Sequence, residues 1–275
     1  MRKKSWFGSK FWLGLLVPVI VLVLWQGAGE LGLLKEKILP TPVAVLKRWL
    51  EYASPQTPFS SDHASYLHWL FSGELPQDLL ASTGRVFVGF FIGAILALPL
   101  GLLMGASKWV NAVFNPIVQV FRPIPPIAFI PLSILWFGLG DPPAYFLIAL
   151  GAFFPILMNT ISGVRTVDWI YLRAARNLGA TGFVLFRRVI LPAAMPQILT
   201  GCRVGMGVAF ICVIVAEMIA VNSGLGYRIL EAREFVWSDK IIAGMFSIGL
   251  LGLAIDSAMD AINRRLLRWQ RTNET

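Results

Sequence analysis

Between two apolar stretches the chain reads Tyr171-Leu-Arg-Ala-Ala-Arg-Asn-Leu-Gly-Ala-Thr-Gly-Phe-Val-Leu-Phe-Arg-Arg-Val-Ile-Leu-Pro192. Residues up to Leu178 favour helix and Gly179 breaks it. Thr181 to Val189 forms a second short amphipathic segment, with Phe183, Phe186 and Val189 apolar. Leu191, Pro192 and Pro196 then open the next apolar run. The pattern is a compact helix–turn–helix with a small-residue face at Ala174, Ala175, Gly179 and Ala180. Small residues let another protein's backbone come close, and Arg173, Arg176, Arg187 and Arg188 supply charge around them. A basic connector held by lipid headgroups accounts for the arginines but not for the run of small residues.

The flanking stretches set the class. The chain has 275 residues, 56% hydrophobic and 14% charged, where a soluble domain is about 25% charged; its mean hydropathy is +0.69. Those values exclude a soluble globular enzyme and a disordered chain. They leave an all-α polytopic membrane protein, with six spans near 11–29, 83–106, 112–137, 143–164, 198–221 and 240–263. A single transmembrane domain over 1–275 is expected. Its outer loop at 30–82 is too polar to span, and Val43 to Tyr52 has the periodicity of a short interfacial helix. The quoted segment lies in an inner loop at 166–191.

Charge sets the orientation. The net charge is +9, from 24 Lys and Arg against 15 Asp and Glu. In a soluble chain that surplus would suggest nucleic acid. Here it falls on alternate loops, so no nucleic-acid partner is expected. With the N-terminus inside, the inner segments hold Arg2, Lys3, Lys4, Lys10, Lys108, Arg165, Arg173, Arg176, Arg187, Arg188, Arg264, Arg265, Arg268 and Arg271. The outer 30–82 loop instead balances Lys35, Lys37, Lys47 and Arg48 with Glu30, Glu36, Glu51, Asp62, Glu74 and Asp78. Both termini are therefore expected on the inside. The basic start followed by Phe11 to Trp25 imitates a secretory signal. That run is long for one and no A-x-A site follows, so an uncleaved first span is expected. Cys202 and Cys212 lie ten residues apart in one span, roughly 15 Å along a helix, and cannot bridge.

The third apolar segment contains Pro116, Pro123, Pro125, Pro126 and Pro131 and cannot be one straight helix. A broken helix survives at membrane depth only where protein or a watery path covers the freed backbone. Arg122 stands just before the prolines. A cation beside freed N–H donors suits a permeating anion; alternatively, Arg122 pairs with Glu217 or a backbone carbonyl and pins the break. Arg122, Pro123, Pro125, Pro126 and Glu217 are thus the candidates for a translocation path. Glu217 is the structural or gating partner among them, since it would repel an anion. Arg203 can snorkel from its span, and Asp256 and Asp260, beside Arg264 and Arg265, read as a helix-surface charge cluster. The pairs Gly89/Gly93, Gly101/Gly105 and Gly201/Gly205 allow close helix approach, inside the bundle or against a second copy. His63 and His68 have no further ligand-type neighbours, so no metal site is expected, and no catalytic nucleophile–base set is evident.

The opening segment resembles the cytoplasmic coupling loop of ABC importer permeases, whose pattern is E-A-A-x3-G-x9-I-x-L-P. Ala174, Ala175, Gly179, Leu191 and Pro192 fall in register, Val189 stands for Ile, and Arg173 occupies the position of the leading Glu. Phe121-Arg-Pro-Ile-Pro-Pro-Ile-Ala-Phe-Ile-Pro-Leu-Ser-Ile-Leu-Trp-Phe-Gly-Leu-Gly140 is similar to the third span of the taurine, sulfonate, nitrate and bicarbonate importer permeases. So are Gly201 to Gly207, Ala216-Glu217-Met218 and Gly224-Leu-Gly-Tyr227. The resemblance covers most of residues 35–268 and is closest to the taurine and alkanesulfonate branch.

The resemblance implies a type I importer permease in a bacterial plasma (inner) membrane. It would work as a homodimer with two cytoplasmic ATP-binding subunits and an extracytoplasmic substrate-binding protein. Arg173, Ala174, Ala175, Gly179, Ala180, Leu191 and Pro192 would couple to the ATPase. The chain has no G-x4-G-K-[ST] phosphate loop, so it is not expected to be an enzyme or to hold a cofactor, and the partner subunit would bind ATP and Mg. The cargo implied is taurine or an alkanesulfonate, with nitrate or bicarbonate as further anions. An autonomous channel or ion-coupled secondary carrier would share the broken span but not the loop spacing.

Overall fold

A computed structural model describes residues 9–55, 69 and 71–267. His63, His68, Asp62, Arg2, Lys3, Lys4, Arg268 and Arg271 lie outside the described residues. Every described element is helical: α1 Ser9–Glu30, α2 Pro42–Ala53, α3 Glu74–Ala106, α4 Lys108–Phe121, a 3-10 turn Pro126–Phe129 leading into α5 Ile130–Phe137, and α6 Asp141–Arg165. These are followed by α7 Trp169–Asn177, α8 Gly182–Leu185, a π-turn Phe186–Ile190, α9 Leu191–Ile219, α10 Leu225–Glu234 and α11 Ser238–Leu266.

Four helical runs are long and apolar enough to cross a membrane: Glu74–Ala106, Asp141–Arg165, Gly182–Ile219 and Ser238–Leu266. The pair Lys108–Phe121 and Pro126–Phe137, bent by 83°, makes a fifth if it counts as one span. The sequence predicts six. The run 11–29 is helical within α1, but its described apolar part, Leu16–Glu30, is shorter than a span. α3 begins at Glu74, earlier than the apolar run at 83, because Glu74, Gln77 and Asp78 are polar yet compatible with helix. The segment Gly182–Ile219 has 38 residues, roughly 57 Å of helix. It is longer than the hydrocarbon layer of about 30 Å, so one end stands clear of it.

The chain divides into two compact units, Met1–Gln77 with Arg228–Ser247, and Asp78–Tyr227 with Ile248–Thr275. In the first, Thr41 caps α2 by accepting from Ala44 N–H, Pro42 fills the first turn, and the helix ends before Pro55. The helix expected at 43–52 is this element. Trp49 Nε1 donates to Ser247 Oγ at 2.9 Å, and Arg48 Nε donates to Asp239 at 2.8 Å. The hydrogen bond to Asp239 raises the Arg48 pKa further above its ordinary value. Lys240 Nζ lies 3.3 Å from Glu74 and 3.7 Å from Glu231, over the rings of Tyr52 and Trp237.

In the second unit α6 is the central helix. It buries Leu147, Ile148, Ala152, Ile156, Leu157 and Thr160 almost completely. The glycine pairs receive it on both sides. A Cβ on Gly89, Gly93, Gly101 or Gly105 of α3 would collide with Ile148, Ala149, Thr160 or Val164 of α6. One on Gly201 or Gly205 of α9 would meet Asn159 or Ile156. All three pairs therefore serve packing inside the chain.

Candidate functional site

Three features of the second unit bear on function: the break in the third apolar segment, a buried ion pair, and the helix–turn–helix that follows α6.

The break follows from proline chemistry. Ser107 caps α4 by accepting from Val110 N–H, and α4 continues until Arg122, whose N–H donates to Val118 carbonyl at 2.9 Å. Pro123, Pro125 and Pro126 have no N–H to continue the ladder. The chain recovers through single-turn bonds, Ile124 N–H to Phe121 carbonyl and Ala128 N–H to Pro125 carbonyl, before α5 starts. Arg122 is left exposed at the corner and, among the described residues, makes no ion pair. It lines a cavity of about 360 Å³ with Ile124 and Pro126, Phe154, Pro155, Met158 and Asn159 of α6, and Val204 and Val208 of α9. Pro123 and Pro125 shape the corner without lining the cavity. Arg122 and Asn159 are the two polar side chains among lining residues that are otherwise apolar.

Glu217 is elsewhere, and the pairing of Arg122 with Glu217 does not form. Glu217, fully buried near the C-terminal end of α9, accepts from Arg85 Nη1 at 2.8 Å, Ser82 Oγ at 2.9 Å and Gly226 N–H at 3.0 Å. The α9–α10 turn folds back beside α3, which places Arg85, not Arg122, within reach. Arg85 also donates through Nε to Asp141 Oδ1 at 2.7 Å, and to the Ser223 carbonyl and hydroxyl at 2.9 and 2.6 Å. Asp78 accepts from Gly224 N–H at 2.9 Å, and Ser82 Oγ from Leu225 N–H at 3.0 Å. Sequence reasoning missed Arg85. The available signal was the spacing of Asp78, Ser82 and Arg85 at i, i+4 and i+7, one face of a helix. A buried pair with both carboxylate oxygens and all three guanidinium nitrogens hydrogen-bonded is a structural lock, and loss of Arg85 leaves Glu217 a buried charge without its partner.

Arg203 does not snorkel alone. Its guanidinium grips Asp256 of α11 through two bonds, at 2.8 and 2.7 Å, and reaches Asp260 at 3.3 Å, while Arg264 pairs with Asp260. The acids expected to form a cluster along one helix thus tie α11 to α9.

The helix–turn–helix is built as its residues dictate. Asp168 caps α7 by accepting from Ile170 N–H at 2.9 Å. The helix ends in a Schellman motif: Ala180 N–H donates to Ala175 carbonyl and Gly179 N–H to Arg176 carbonyl, both at 2.9 Å, with Gly179 at φ +82°. Among the described residues, its two chain neighbours aside, no atom lies within 4 Å of a Cβ built on Gly179, so the glycine serves the backbone conformation and leaves the outer surface open. α7 buries no residue. Ala174 is exposed, Ala175 and Ala180 are half-buried, and Leu178 and Phe183 stand 89% and 73% exposed. The Arg173 guanidinium lies 4.1 Å over the Trp169 ring. Leu191 is half-buried and Pro192 exposed in the first turn of α9. The second segment is continuous with α9 through the π-turn, so any push on α8 is delivered along a transmembrane helix. Among the described residues no group of three or more His, Cys, Asp or Glu could hold a metal ion.

Long apolar helices around a broken, cation-bearing span, with an exposed amphipathic turn at one end, define a polytopic membrane transport protein. Residues 86–268 match the family described as binding-protein-dependent transport system inner membrane component, and the chain belongs to that family. It is an inner-membrane, multi-pass permease of the ABC importer type. A Bacillus subtilis protein named as an aliphatic sulfonates transport permease, SsuC, is 37% identical over 275 residues, 100% of this chain and 94% of that one. The taurine transport system permease protein TauC of Escherichia coli is 35% identical over 250 residues, 91% and 86%. A chain of the MetNI methionine ABC transporter, solved in inward-facing conformations, superposes with a TM-score of 0.62 at 21% identity, over 70% of this chain and 95% of that one. This last likeness concerns the fold alone.

Proposed function

We infer that this permease forms the translocation path of an ATP-driven importer of a small organic anion, taurine or an alkanesulfonate. The observation that carries this reading is Arg122, an exposed cation at a helix break on a cavity whose other lining residues are mostly apolar. A sulfonate headgroup pairs with a guanidinium and its short carbon chain with the apolar wall. The names of SsuC and TauC agree with that cargo.

In this reading two copies of the chain, each with N- and C-termini in the cytoplasm, meet in the bacterial inner membrane, with lipid around them. Two ATP-binding subunits take the exposed α7–α8 turn, where Arg173, Ala174, Ala175, Gly179 and Ala180 face outward or half-outward and Leu191 and Pro192 lead into α9. An extracytoplasmic binding protein delivers the cargo. ATP and Mg belong to the partner, since the sequence has no G-x4-G-K-[ST] pattern. ATP binding brings the two turns together, and α9 carries that movement to the cavity.

The test is uptake of labelled taurine into proteoliposomes holding the chain with its ATP-binding subunits. Uptake that needs ATP and the binding protein is the expected result. Nitrate or bicarbonate uptake in place of taurine would reassign the cargo. Flux through the chain alone, without ATP, would make it a channel or an ion-coupled carrier instead.

A further inference from the structure

The turn 138–141, which joins α5 to α6, is fastened to the turn 220–223 after α9 at two points. Gly140 N–H donates to Ala220 carbonyl at 2.8 Å. Asp141 accepts from Arg85 Nε, while the same guanidinium holds both oxygens of Ser223. The two arms of Arg85 differ. Toward Glu217 both side chains are shut away, 7% and 0% exposed. Toward Asp141 the acid is 47% exposed, so water solvates its carboxylate when the contact opens. The turn itself suits movement. Gly138 and Gly140 sit at φ +76° and +119°, conformations glycine enters freely, and Leu139 between them is 72% exposed. Of the elements it joins, α6 carries Phe154 and Asn159 of the Arg122 cavity wall, and the 3-10 turn that runs straight into α5 carries Pro126.

We propose that Arg85 is a positioning residue for transport: through Asp141 it clips the 138–141 turn shut, and this arm releases and re-forms in each cycle while the arm to Glu217 stays closed. Release frees α5 to swing against α6 and so changes the mouth of the cavity. The inference rests on the reading of the chain as an ATP-driven permease.

Spin labels at Leu139→Cys and Asn222→Cys, exposed positions in the two turns, report the clip on a background with Cys202 and Cys212 replaced by alanine. Distances are measured by pulsed electron paramagnetic resonance in the complex with ATP-binding subunits, nucleotide-free and trapped with ATP and vanadate. Two distances separated by roughly 2–5 Å are expected, with nucleotide changing their ratio. Asp141→Ala should shift the label pair to the longer distance in every state. A merely structural contact would show no dependence on nucleotide. A single distance in a complex that hydrolyses ATP, unmoved by Asp141→Ala, overturns the proposal. If the complex does not assemble or hydrolyse ATP, the permease reading fails instead. The clip is then decided on the chain alone in lipid nanodiscs, where an Asp141→Ala distance equal to that of the parent overturns it.

Discussion

Arg85 and Glu217, 132 residues apart in sequence, meet at 2.8 Å inside the helical bundle, with the carboxylate wholly out of solvent. The pair has further partners: Ser82 and Gly226 also donate to the acid, and Asp141 and Ser223 also accept from the guanidinium. Removing Arg85 strands Glu217 as an unpaired buried charge, which costs about 3–5 kcal/mol, whereas removing Glu217 leaves Arg85 its second ion pair, to Asp141, and should cost less. Arg85→Ala should lower the thermal unfolding midpoint of the detergent-purified permease by several degrees, and Glu217→Ala by less. Arg85→Met with Glu217→Leu should recover part of the loss, because two apolar groups leave no charge behind. An unchanged midpoint in Arg85→Ala would show that the pair does not hold the bundle.

Val236 offers a gain. It ends α10 at φ +59°, where Trp237 N–H donates to Ala232 carbonyl at 2.9 Å and Val236 N–H to Arg233 carbonyl at 3.1 Å. The left-handed conformation costs an L-residue about 1–2 kcal/mol, and the Val236 side chain is 65% exposed, so little packing repays it. Val236→Gly relieves the strain but gives the unfolded chain about 0.5–1 kcal/mol of extra freedom. A net stabilisation of roughly 0.5–1 kcal/mol is expected, read as a rise in the unfolding midpoint.

The two features legible in the sequence are the local ones. Prolines at 123, 125 and 126 remove N–H donors wherever the helix lies, and Gly179 after Asn177-Leu178 ends a helix by its own backbone preference. What the sequence hid was partnership across the bundle. Hydropathy starts the second span at 83 and places Asp78 and Ser82 in the outer loop, which hides their common face with Arg85. Nothing local distinguishes Arg85 from Arg122 as the cation that reaches Glu217, because the choice depends on how the 220–224 turn folds back on α3. Arg203 and Asp256 escaped for the same reason: periodicity relates residues along one helix, and this pair joins two.

Gly179 separates a backbone role from an interface role. Its positive φ means that Gly179→Ala strains the end of α7 by about 1–2 kcal/mol, while Gly179→Asn, tolerant of that conformation, should be milder. Yet among the described residues, its two chain neighbours aside, no atom approaches its Cβ position. A bulky side chain therefore meets nothing until the partner arrives. Gly179→Leu should leave the isolated permease folded, with an unfolding midpoint close to that of Gly179→Ala, and should lose co-purification with the ATP-binding subunits. Binding-protein-stimulated ATPase activity at the parental rate in Gly179→Leu would show that the α7–α8 turn is not the docking surface.

Arg122 gives the most direct test of the path. Its side chain is exposed at the corner of the broken span and, among the described residues, holds no ion pair, so truncation removes no interaction that supports the fold. Arg122→Ala should alter stability by less than about 0.5 kcal/mol. A charge-assisted hydrogen bond to a passing sulfonate contributes about 1.5–3 kcal/mol, equivalent to roughly a 10- to 150-fold loss in uptake when it is removed. Arg122→Lys retains the charge without the two-pronged geometry and should recover only part of that loss. Uptake by proteoliposomes, measured against the unfolding midpoint of the same preparations, distinguishes the two roles. A loss of uptake at constant stability assigns Arg122 to the cargo, whereas a parallel fall in both makes it the pin of the break.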